Sequence, residues 1–200
     1  MDKKEDKFVY FDFGGVMAQT KPSLLKIADN LGIDHDRFLS IWSPIDDLAC
    51  QGNITSAELW SRCGFFQDLT SEWIGGFKII PEVHALMTQV AAICKIGILS
   101  NLYTGLYPTM LSMGFIPDLQ YNAVIISSEH RTIKPESQIF EIAERESRQI
   151  PSQLILIDDK PANITAVKTR GWKGVLYDNT NPQLAIDEVL RLNTMNFIPR

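Results

Sequence analysis

Residues capable of nucleophilic, acid–base or metal-binding chemistry occur at four places in this chain, and the first is Asp12. It directly follows the apolar run Phe8–Phe11 and precedes Gly14 and Gly15. Such a run is typical of a buried strand, and glycines after it permit a sharp turn or a close approach of the backbone to a ligand. One carboxylate would then stand where ligands bind in open α/β sheets. From this run alone, an aspartate that only caps a turn is an equally good interpretation.

The second and third places carry hydrogen-bond donors and a cation. Ser100 and Asn101 follow an apolar segment at 96–99, and both side chains can donate hydrogen bonds to an anion. Lys134 precedes Pro135 at a predicted helix start, from which it could reach a phosphate or a carboxylate nucleophile. Taken singly, each has a simpler interpretation, because Ser and Asn are favoured helix caps and a loop lysine is usually solvated.

The fourth place is a pair of carboxylates, Asp158 and Asp159, after the apolar run at 154–157. Adjacent like charges are unfavourable unless a cation lies near them. Hard carboxylate oxygens suit Mg²⁺, which keeps several waters and takes few protein ligands. Helix capping by Asp159, with Asp158 solvated, is the alternative for the pair alone. All four places in order, each after a predicted strand or at a predicted helix start, form a much more specific combination.

Predicted strands and helices alternate along most of the chain and would position these residues. Strands are predicted at 8–12, 95–99, 123–126, 154–157 and 174–177, and helices at 81–93, 104–113, 136–146, 162–170 and 182–192. Strands that alternate with helices of this length predict a parallel sheet with helices on both faces. The expected fold class is therefore α/β, with a doubly wound, Rossmann-like parallel sheet.

The segment between the first two predicted strands has a helical pattern. Apolar residues recur at helical spacing over 24–31 and again over 38–42, where Pro44 is expected to end the helix. Thr55 and Glu58 have the spacing of a capping box that opens a further helix. We therefore expect a small all-helical insertion after the first strand.

Length, charge and composition bound the classes of function. The 200 residues are 45% hydrophobic and 22% charged, which suits a core domain, expected at 1–16 and 81–200, with a helical cap domain at 17–80. The formal net charge of −5 argues against a nucleic-acid partner. No segment has the pattern of a signal peptide or a membrane span, and three cysteines in apolar or helical contexts suggest reduced thiols. We expect a cytoplasmic protein without a membrane partner.

These motifs resemble those of the haloacid dehalogenase superfamily of hydrolases, over residues from about 8 to 192. The four motifs of that family match residues 12–16, 99–101, 134–135, and 158–159 with Asn163. The position of the helical segment resembles the small helical cap of the phosphatase branch. The likeness is strongest to small bacterial sugar-phosphate phosphatases of the glucose-1-phosphate type, whose first motif also has the form Asp-x-Gly.

The resemblance implies a nucleophile and a metal site. Asp12 would attack phosphorus and become an aspartyl-phosphate, and Lys134 would neutralise charge beside it. Mg²⁺ would be held by Asp12, the backbone carbonyl of Gly14 and Asp159. Asp158 would lie beside the metal or one shell further out.

The resemblance also implies a phosphate site and an activity. Ser100, Asn101 and Gly15 would bind phosphoryl oxygens, and the cap would close over the site and shape the substrate pocket. Asn163, where many relatives have aspartate, is expected to orient the metal site by hydrogen bonding. The implied activity is Mg²⁺-dependent hydrolysis of small phosphorylated metabolites, with sugar 1-phosphates among the candidates.

Gly14 departs from the family pattern. Most phosphatases of the family have a second aspartate there as general acid and base, and such help is typically worth about 10²–10⁴-fold in rate. Three explanations stay open: substrates with good leaving groups such as sugar 1-phosphates, a substitute group such as His130, or a weakly active relative that binds phosphates.

Metal-independent 2-haloacid dehalogenases form the alternative enzyme class. They use an aspartate nucleophile and lack the second aspartate, but they have also lost the paired acidic motif. Because Asp158 and Asp159 are both present here, the sequence favours a retained Mg²⁺ and phosphoryl transfer.

Overall fold

The computed structural model describes residues 7–194, the last two by their backbone alone. In chain order the elements are β1 (Phe8–Phe11), β2 (Ala18–Gln19), α1 (Lys21–Asn30), α2 (His35–Cys50), α3 (Ser56–Arg62), α4 (Thr70–Gly75) and β3 (Lys78–Ile79). They are followed by α5 (Pro81–Ala91), β4 (Lys95–Ser100), α6 (Leu106–Ser112), β5 (Ala123–Ile126), α7 (Ser127–His130), α8 (Ser137–Ser147), β6 (Leu154–Asp158), α9 (Pro161–Thr169), β7 (Lys173–Leu176) and α10 (Pro182–Thr194). Within the described range, none of the helices has the length and apolar character to cross a membrane.

Five strands form one parallel sheet in the order β5-β4-β1-β6-β7. The central strand is β1, in which Phe8 pairs with Lys95 on one side and with Leu154 on the other. The chain passes to β4 and β5 on one side of β1 and then to β6 and β7 on the other, so the sheet is doubly wound. Ligands of such sheets bind beyond the carboxyl ends of the strands at this reversal. The predicted α/β fold class is confirmed.

Helices cover both faces of the sheet, and β1 contributes to both layers. Val9 and Phe11 belong to the larger buried cluster, which includes residues of α5 and α10. Phe8 and Tyr10 point to the opposite face, where they pack with Phe140 of α8. Successive side chains of a strand alternate between faces, so four apolar residues in a row are what a strand buried on both sides requires. This double anchoring fixes the position of the residue that follows β1.

The helices α1–α4 lie between β2 and β3, which form a two-stranded antiparallel ribbon with Ala18 paired to Ile79. An aromatic cluster occupies the centre of these helices. The ring centroid of Trp42 lies 4.5 Å from that of Trp60 and 5.7 Å from that of Trp73. Aromatic pairs at such distances contribute about 0.5–1.5 kcal/mol beyond the area they bury. The four helices therefore pack around an aromatic centre above the sheet, and we call them the cap.

The structure corrects the predicted end of α2, because the helix continues through Pro44 to Cys50. A proline inside a helix removes one backbone hydrogen bond and is unfavourable by about 3 kcal/mol. Here Trp42 and Cys50, on either side of Pro44, are both buried, and this packing outweighs the local loss. The capping box predicted at Thr55 and Glu58 is confirmed, with both of its reciprocal bonds present.

The carboxyl end of α2 attaches the cap to the core. The Ser127 hydroxyl donates a hydrogen bond to the carbonyl oxygen of Cys50 at 2.5 Å. Gly52 has a φ of +71°, and a Cβ there would lie 2.5 Å from the carbonyl oxygen of Ser128. Only glycine permits this approach of two backbones, so the cap sits directly over the carboxyl edge of the sheet.

Candidate active site

Asp12, Lys134 and Asp158 form a buried charged group at the carboxyl edge of the sheet. The Asp12 N–H extends the pairing of β1 with β6 by donating to the carbonyl oxygen of Ile157 at 3.0 Å. The Lys134 Nζ lies 3.0 Å from Asp12 Oδ1 and 2.6 Å from Asp158 Oδ2, and the lysine side chain is only 1% exposed. The interpretation of Lys134 as a solvated surface charge is therefore wrong, and its cation is committed to the two carboxylates.

The Asp12 carboxylate is held in one orientation. The Phe13 N–H donates to its Oδ1 at 2.7 Å, on the same oxygen that faces Lys134. Burial raises the pKa of Asp12 to about 6; Lys134 opposes this rise, Asp158 adds to it, and the Ser100 hydroxyl lowers it. A carboxylate must be ionised to act as a nucleophile, so Lys134 and Ser100 favour its reactive form.

Asp158 is saturated with donors from the protein. Its Oδ1 accepts from the Lys160 N–H at 2.8 Å, its Oδ2 accepts from Lys134, and the Asn163 amide lies 2.9 and 3.0 Å from the two oxygens. Although burial acts to raise its pKa, Lys134 and these bonds keep the pKa of Asp158 below its ordinary value. Asp158 thus orients Lys134 and has little capacity left for a metal ion.

Asp159 differs from Asp158, since its buried Oδ1 has no hydrogen-bond partner in the part of the chain that the structure describes. Oxygens of Asp12, Asp158 and Asp159 lie within 4.8 Å of one another. Burial, followed by the charge of Asp158, raises the pKa of Asp159, which a nearby cation would reverse. A buried, unpartnered carboxylate oxygen beside two further carboxylates fits a Mg²⁺ ion, which takes oxygen ligands.

The three residues expected to bind phosphate are engaged within the protein. The Gly15 N–H donates to the carbonyl oxygen of Ala18 at 2.8 Å. The Asn101 amide spans the backbone of Lys134, accepting from its N–H at 2.8 Å and donating to its carbonyl oxygen at 3.0 Å. Ser100 is buried beside Asp12. Phosphate binding by these residues stays a prediction, and the contacts of Asn101 and Ser100 show that both support the charged group.

The structure explains why residue 15 is a glycine. A Cβ at this position would lie 2.1 Å from Asp159 Oδ2, and the φ of Gly15 is +78°. Gly14 differs, because its φ is not in the left-handed region and the nearest atom to a Cβ would be Thr20 Oγ1 at 3.5 Å. Gly15 therefore makes room for Asp159, whereas a Cβ at Gly14 would make only an ordinary van der Waals contact with Thr20.

A cavity of about 500 Å³ lies between this charged group and the cap. From the core it is lined by Asp12, Gly14, Lys134 and Asp159, and from the cap by Asp46 and Trp73, among others. Sequence reasoning missed Asp46 because the helix was expected to end at Pro44. The sequence signal for a longer helix was the apolar pattern, which resumes at Leu48 and Ala49. His130 lies on α7 and is not among the described residues that line the cavity.

Comparisons with known proteins find similarity at the level of structure. No protein-family model and no curated protein matches the chain. A predicted HAD-like family hydrolase from Porphyromonas gingivalis superimposes with a TM-score of 0.73 and 21% identity, covering 94% of this chain and 98% of that one. A HAD family enzyme from Bacteroides thetaiotaomicron, a mutant in complex with magnesium and inorganic phosphate, superimposes with a TM-score of 0.71 and 17% identity. The match covers 86% of this chain and 94% of that one.

A 2-haloacid dehalogenase from Pseudomonas syringae is also similar, with a TM-score of 0.58, 17% identity, and coverage of 89% of this chain and 87% of that one. At such identities these likenesses establish the fold. The chain has the α/β fold of haloacid dehalogenase-family enzymes over nearly its whole described length, which confirms the fold that the resemblance implied. Both phosphate-binding and dehalogenating proteins share it, so the chemistry has to be argued from the site.

Proposed function

We propose that this protein is a Mg²⁺-dependent phosphatase of the haloacid dehalogenase superfamily, which hydrolyses small phosphorylated metabolites through an aspartyl-phosphate on Asp12. The observation that carries the proposal is the pairing of a fixed carboxylate, Asp12, with a buried cation, Lys134, beside the unpartnered oxygen of Asp159. The structural neighbour in complex with magnesium and inorganic phosphate supports the same assignment.

The protein groups contribute mainly position and charge. Asp12 would attack phosphorus, with its Oδ1 fixed by the Phe13 N–H and Lys134. Lys134 would balance the negative charge that the phosphoryl group brings to a site already containing carboxylates. Phosphoryl transfer has a loose transition state with charge spread over the equatorial oxygens, so preorganised charges supply most of the rate enhancement.

A Mg²⁺ ion bound at this site would supply the positive charge that neutralises the phosphoryl oxygens. Asp12 and Asp159 would hold it through carboxylate oxygens, and the Gly14 carbonyl is the third ligand that the resemblance implies. Asp158 and Asn163 would act indirectly, because their hydrogen bonds keep Lys134 and the end of β6 in place.

The cavity size suits a small ligand, because pockets for such molecules typically measure about 300–1,000 Å³. Lys21 and Lys160 line it as exposed cations, and Asp46 and Asp47 line it as acids, a mixture that suits a polar, phosphorylated substrate. Sugar 1-phosphates belong to the proposal because their leaving oxygen demands little from an acid. The proposed function involves no nucleic-acid or membrane partner, and we propose a cytoplasmic location for the protein.

The test is phosphate release from a panel of phosphorylated metabolites and p-nitrophenyl phosphate, with Mg²⁺ and with EDTA. We expect turnover only with Mg²⁺, and none from Asp12→Asn, an isosteric change whose folding is checked by circular dichroism. Trapping of acid-stable aspartyl-phosphate on the native chain and not on Asp12→Asn would support the covalent step. Wild-type activity in Asp12→Asn would overturn it.

A dehalogenase remains the second candidate, because Gly14 lacks an acid and a 2-haloacid dehalogenase shares the fold. The adjacent carboxylates Asp158 and Asp159 at the end of β6 argue against a dehalogenase. Chloride release from 2-chloropropionate in EDTA, dependent on Asp12, would establish this alternative and displace the phosphatase.

A further inference from the structure

For substrates with a poorer leaving group than a sugar 1-phosphate, the phosphatase proposed above needs a proton donor, and in-line displacement fixes where that donor must be. The leaving oxygen departs on the side of phosphorus remote from the nucleophile. Since Asp12 lies on the floor of the cavity, the leaving oxygen faces the cap. Gly14 offers no side chain, and the described titratable groups on the cap side of the cavity are Asp46, Asp47, Cys50 and Lys21.

Asp46 is placed differently from the other cap acids. It lies on the part of α2 beyond Pro44, and the hydroxyl of Tyr103, a core residue just after β4, donates a hydrogen bond to its Oδ1. The Tyr103 ring also packs against Trp73, with centroids 5.6 Å apart. The carboxyl group is thus held in one orientation by a contact from core to cap, and none of the described residues forms a hydrogen bond with its second oxygen.

The surroundings of Asp46 favour its protonated form more than water does. Burial raises its pKa and Asp47 adds to the rise, while the Tyr103 hydrogen bond and Lys160 act against it. Other neighbours are poorer donors: the pKa values of the Cys50 thiol and the Tyr103 phenol are both raised well above their ordinary values. Asp47 and Lys21 are exposed to solvent, unlike Asp46 with its hydrogen bond from Tyr103.

We infer that Asp46 is the general acid and base of this site, and that a carboxyl group on the cap replaces the one absent at Gly14. As the bond between phosphorus and the leaving oxygen breaks, the Asp46 proton passes to that oxygen, giving a neutral alcohol and an Asp46 carboxylate. Water then attacks the aspartyl-phosphate, Asp46 takes the proton from this water, and inorganic phosphate and Asp12 are released. Protons balance over the cycle, and no further reactant is needed.

The inference rests on the proposed function, and the experiment separates the two. Values of kcat/KM are measured for p-nitrophenyl phosphate, whose leaving group needs no proton, and for a sugar 6-phosphate, whose primary alkoxide does. Asp46→Asn keeps the acceptor for Tyr103 but cannot donate a carboxyl proton. We expect about a 100-fold or greater loss for the 6-phosphate and a change within about threefold for the aryl ester.

Asp47→Asn, the neighbouring exposed acid, is the matched control and should leave the ratio of the two substrates unchanged. Equal losses on both substrates for Asp46→Asn, or no loss on either, would overturn the inference. No Asp12-dependent turnover of any monoester in the native protein would overturn the proposed function and this inference with it. For the aryl ester, kcat/KM covers only the steps up to departure of the leaving group, so loss of the base that activates water lowers kcat but not kcat/KM. A native circular dichroism spectrum shows that Asp46→Asn is folded.

Tyr103→Phe supplies a second readout. It removes a hydrogen bond that lowers the pKa of Asp46, so the acid stays protonated to higher pH. The alkaline limb of kcat/KM for the 6-phosphate should therefore move upward in pH, and the aryl ester should show no such movement. A limb that stays in place would contradict proton donation by Asp46.

Discussion

The Nζ of Lys134 and the Oδ2 of Asp158 lie 2.6 Å apart with side chains that are 1% and 0% exposed. A pair so completely removed from water is stable only if each partner is present, because removal of one leaves an uncompensated buried charge. Here a second carboxylate, Asp12, shares the same cation at 3.0 Å. The charge balance on which the proposed catalysis depends should thus also support the fold.

Lys134→Ala should therefore lower both stability and activity. We expect the free energy of unfolding at pH 7 to fall by about 3 kcal/mol or more, since two buried carboxylates lose their cation. The pKa of Asp158 is lowered in the folded state, so its stabilising contribution is present above the unfolded-state value of 3.8 and is lost as the pH falls through the folded-state pKa. The difference in unfolding free energy between the native protein and Lys134→Ala should accordingly become smaller towards low pH.

Urea unfolding at a series of pH values measures this effect. The exposed Lys26→Ala is the control and should change stability by less than about 0.5 kcal/mol. A Lys134→Ala protein as stable as the native one at pH 7 would show that the ion pair does not support the fold.

The two adjacent aspartates should respond oppositely to isosteric substitution. Asp158→Asn disturbs four protein contacts and should destabilise the protein by several kcal/mol, on the order of a broken buried pair. Asp159→Asn removes a carboxylate whose Oδ1 has no hydrogen-bond partner among the described residues, so without metal the stability of this variant should equal or exceed that of the native protein. With Mg²⁺ the native protein should gain stability and Asp159→Asn should not.

Thermal unfolding in EDTA and in saturating Mg²⁺ tests this pair of variants without an activity assay. Equal stabilisation of the native protein and Asp159→Asn by Mg²⁺ would remove Asp159 from the metal site.

Gly15→Ala should disable the metal site through Asp159. The added Cβ would lie 2.1 Å from Asp159 Oδ2, and the φ of +78° strains any L side chain. Gly64 isolates the effect of the positive φ, since its φ is +90° and, adjacent residues apart, no described residue lies within 4 Å of a Cβ there. Gly64→Ala should lose about 1–2 kcal/mol of stability and keep Mg²⁺ binding, whereas Gly15→Ala should lose both. Calorimetric titration with Mg²⁺ distinguishes them, and normal binding by Gly15→Ala would contradict the steric argument.

Gly14→Asp should be tolerated and should restore proton donation where Asp46 has been disabled. Its Cβ has no neighbour nearer than Thr20 Oγ1 at 3.5 Å and its backbone is not left-handed. In an Asp46→Asn background, we expect Gly14→Asp to recover about tenfold or more of the lost kcat/KM for a sugar 6-phosphate, within the range that general acids supply. Gly14→Asn in the same background is the control. Equal recovery of kcat/KM by Gly14→Asp and Gly14→Asn would mean that the site lacks a polar group and not an acid.

The sequence by itself determined the fold class and the edge at which the site forms. Asp12, Ser100 and Asp158 each end or follow an apolar run, and parallel strands place all such ends at one edge of a sheet. Their convergence follows from local pattern and topology, so it could be predicted without contacts. The capping box at Thr55 was equally local. The domain boundaries and the roles of the site residues remain predictions.

Only the tertiary structure decided how each side chain is employed. The depth of Lys134, the attachment of Asn101 to the lysine backbone and the steric demand on Gly15 all arise from contacts between residues far apart in the chain. Likewise, α2 continues past Pro44 because its buried aromatic and thiol side chains outweigh a local helix-breaking preference, and this continuation brings Asp46 to Tyr103. Burial and long-range packing have energies of several kcal/mol, larger than most local preferences, and no short-range pattern records them.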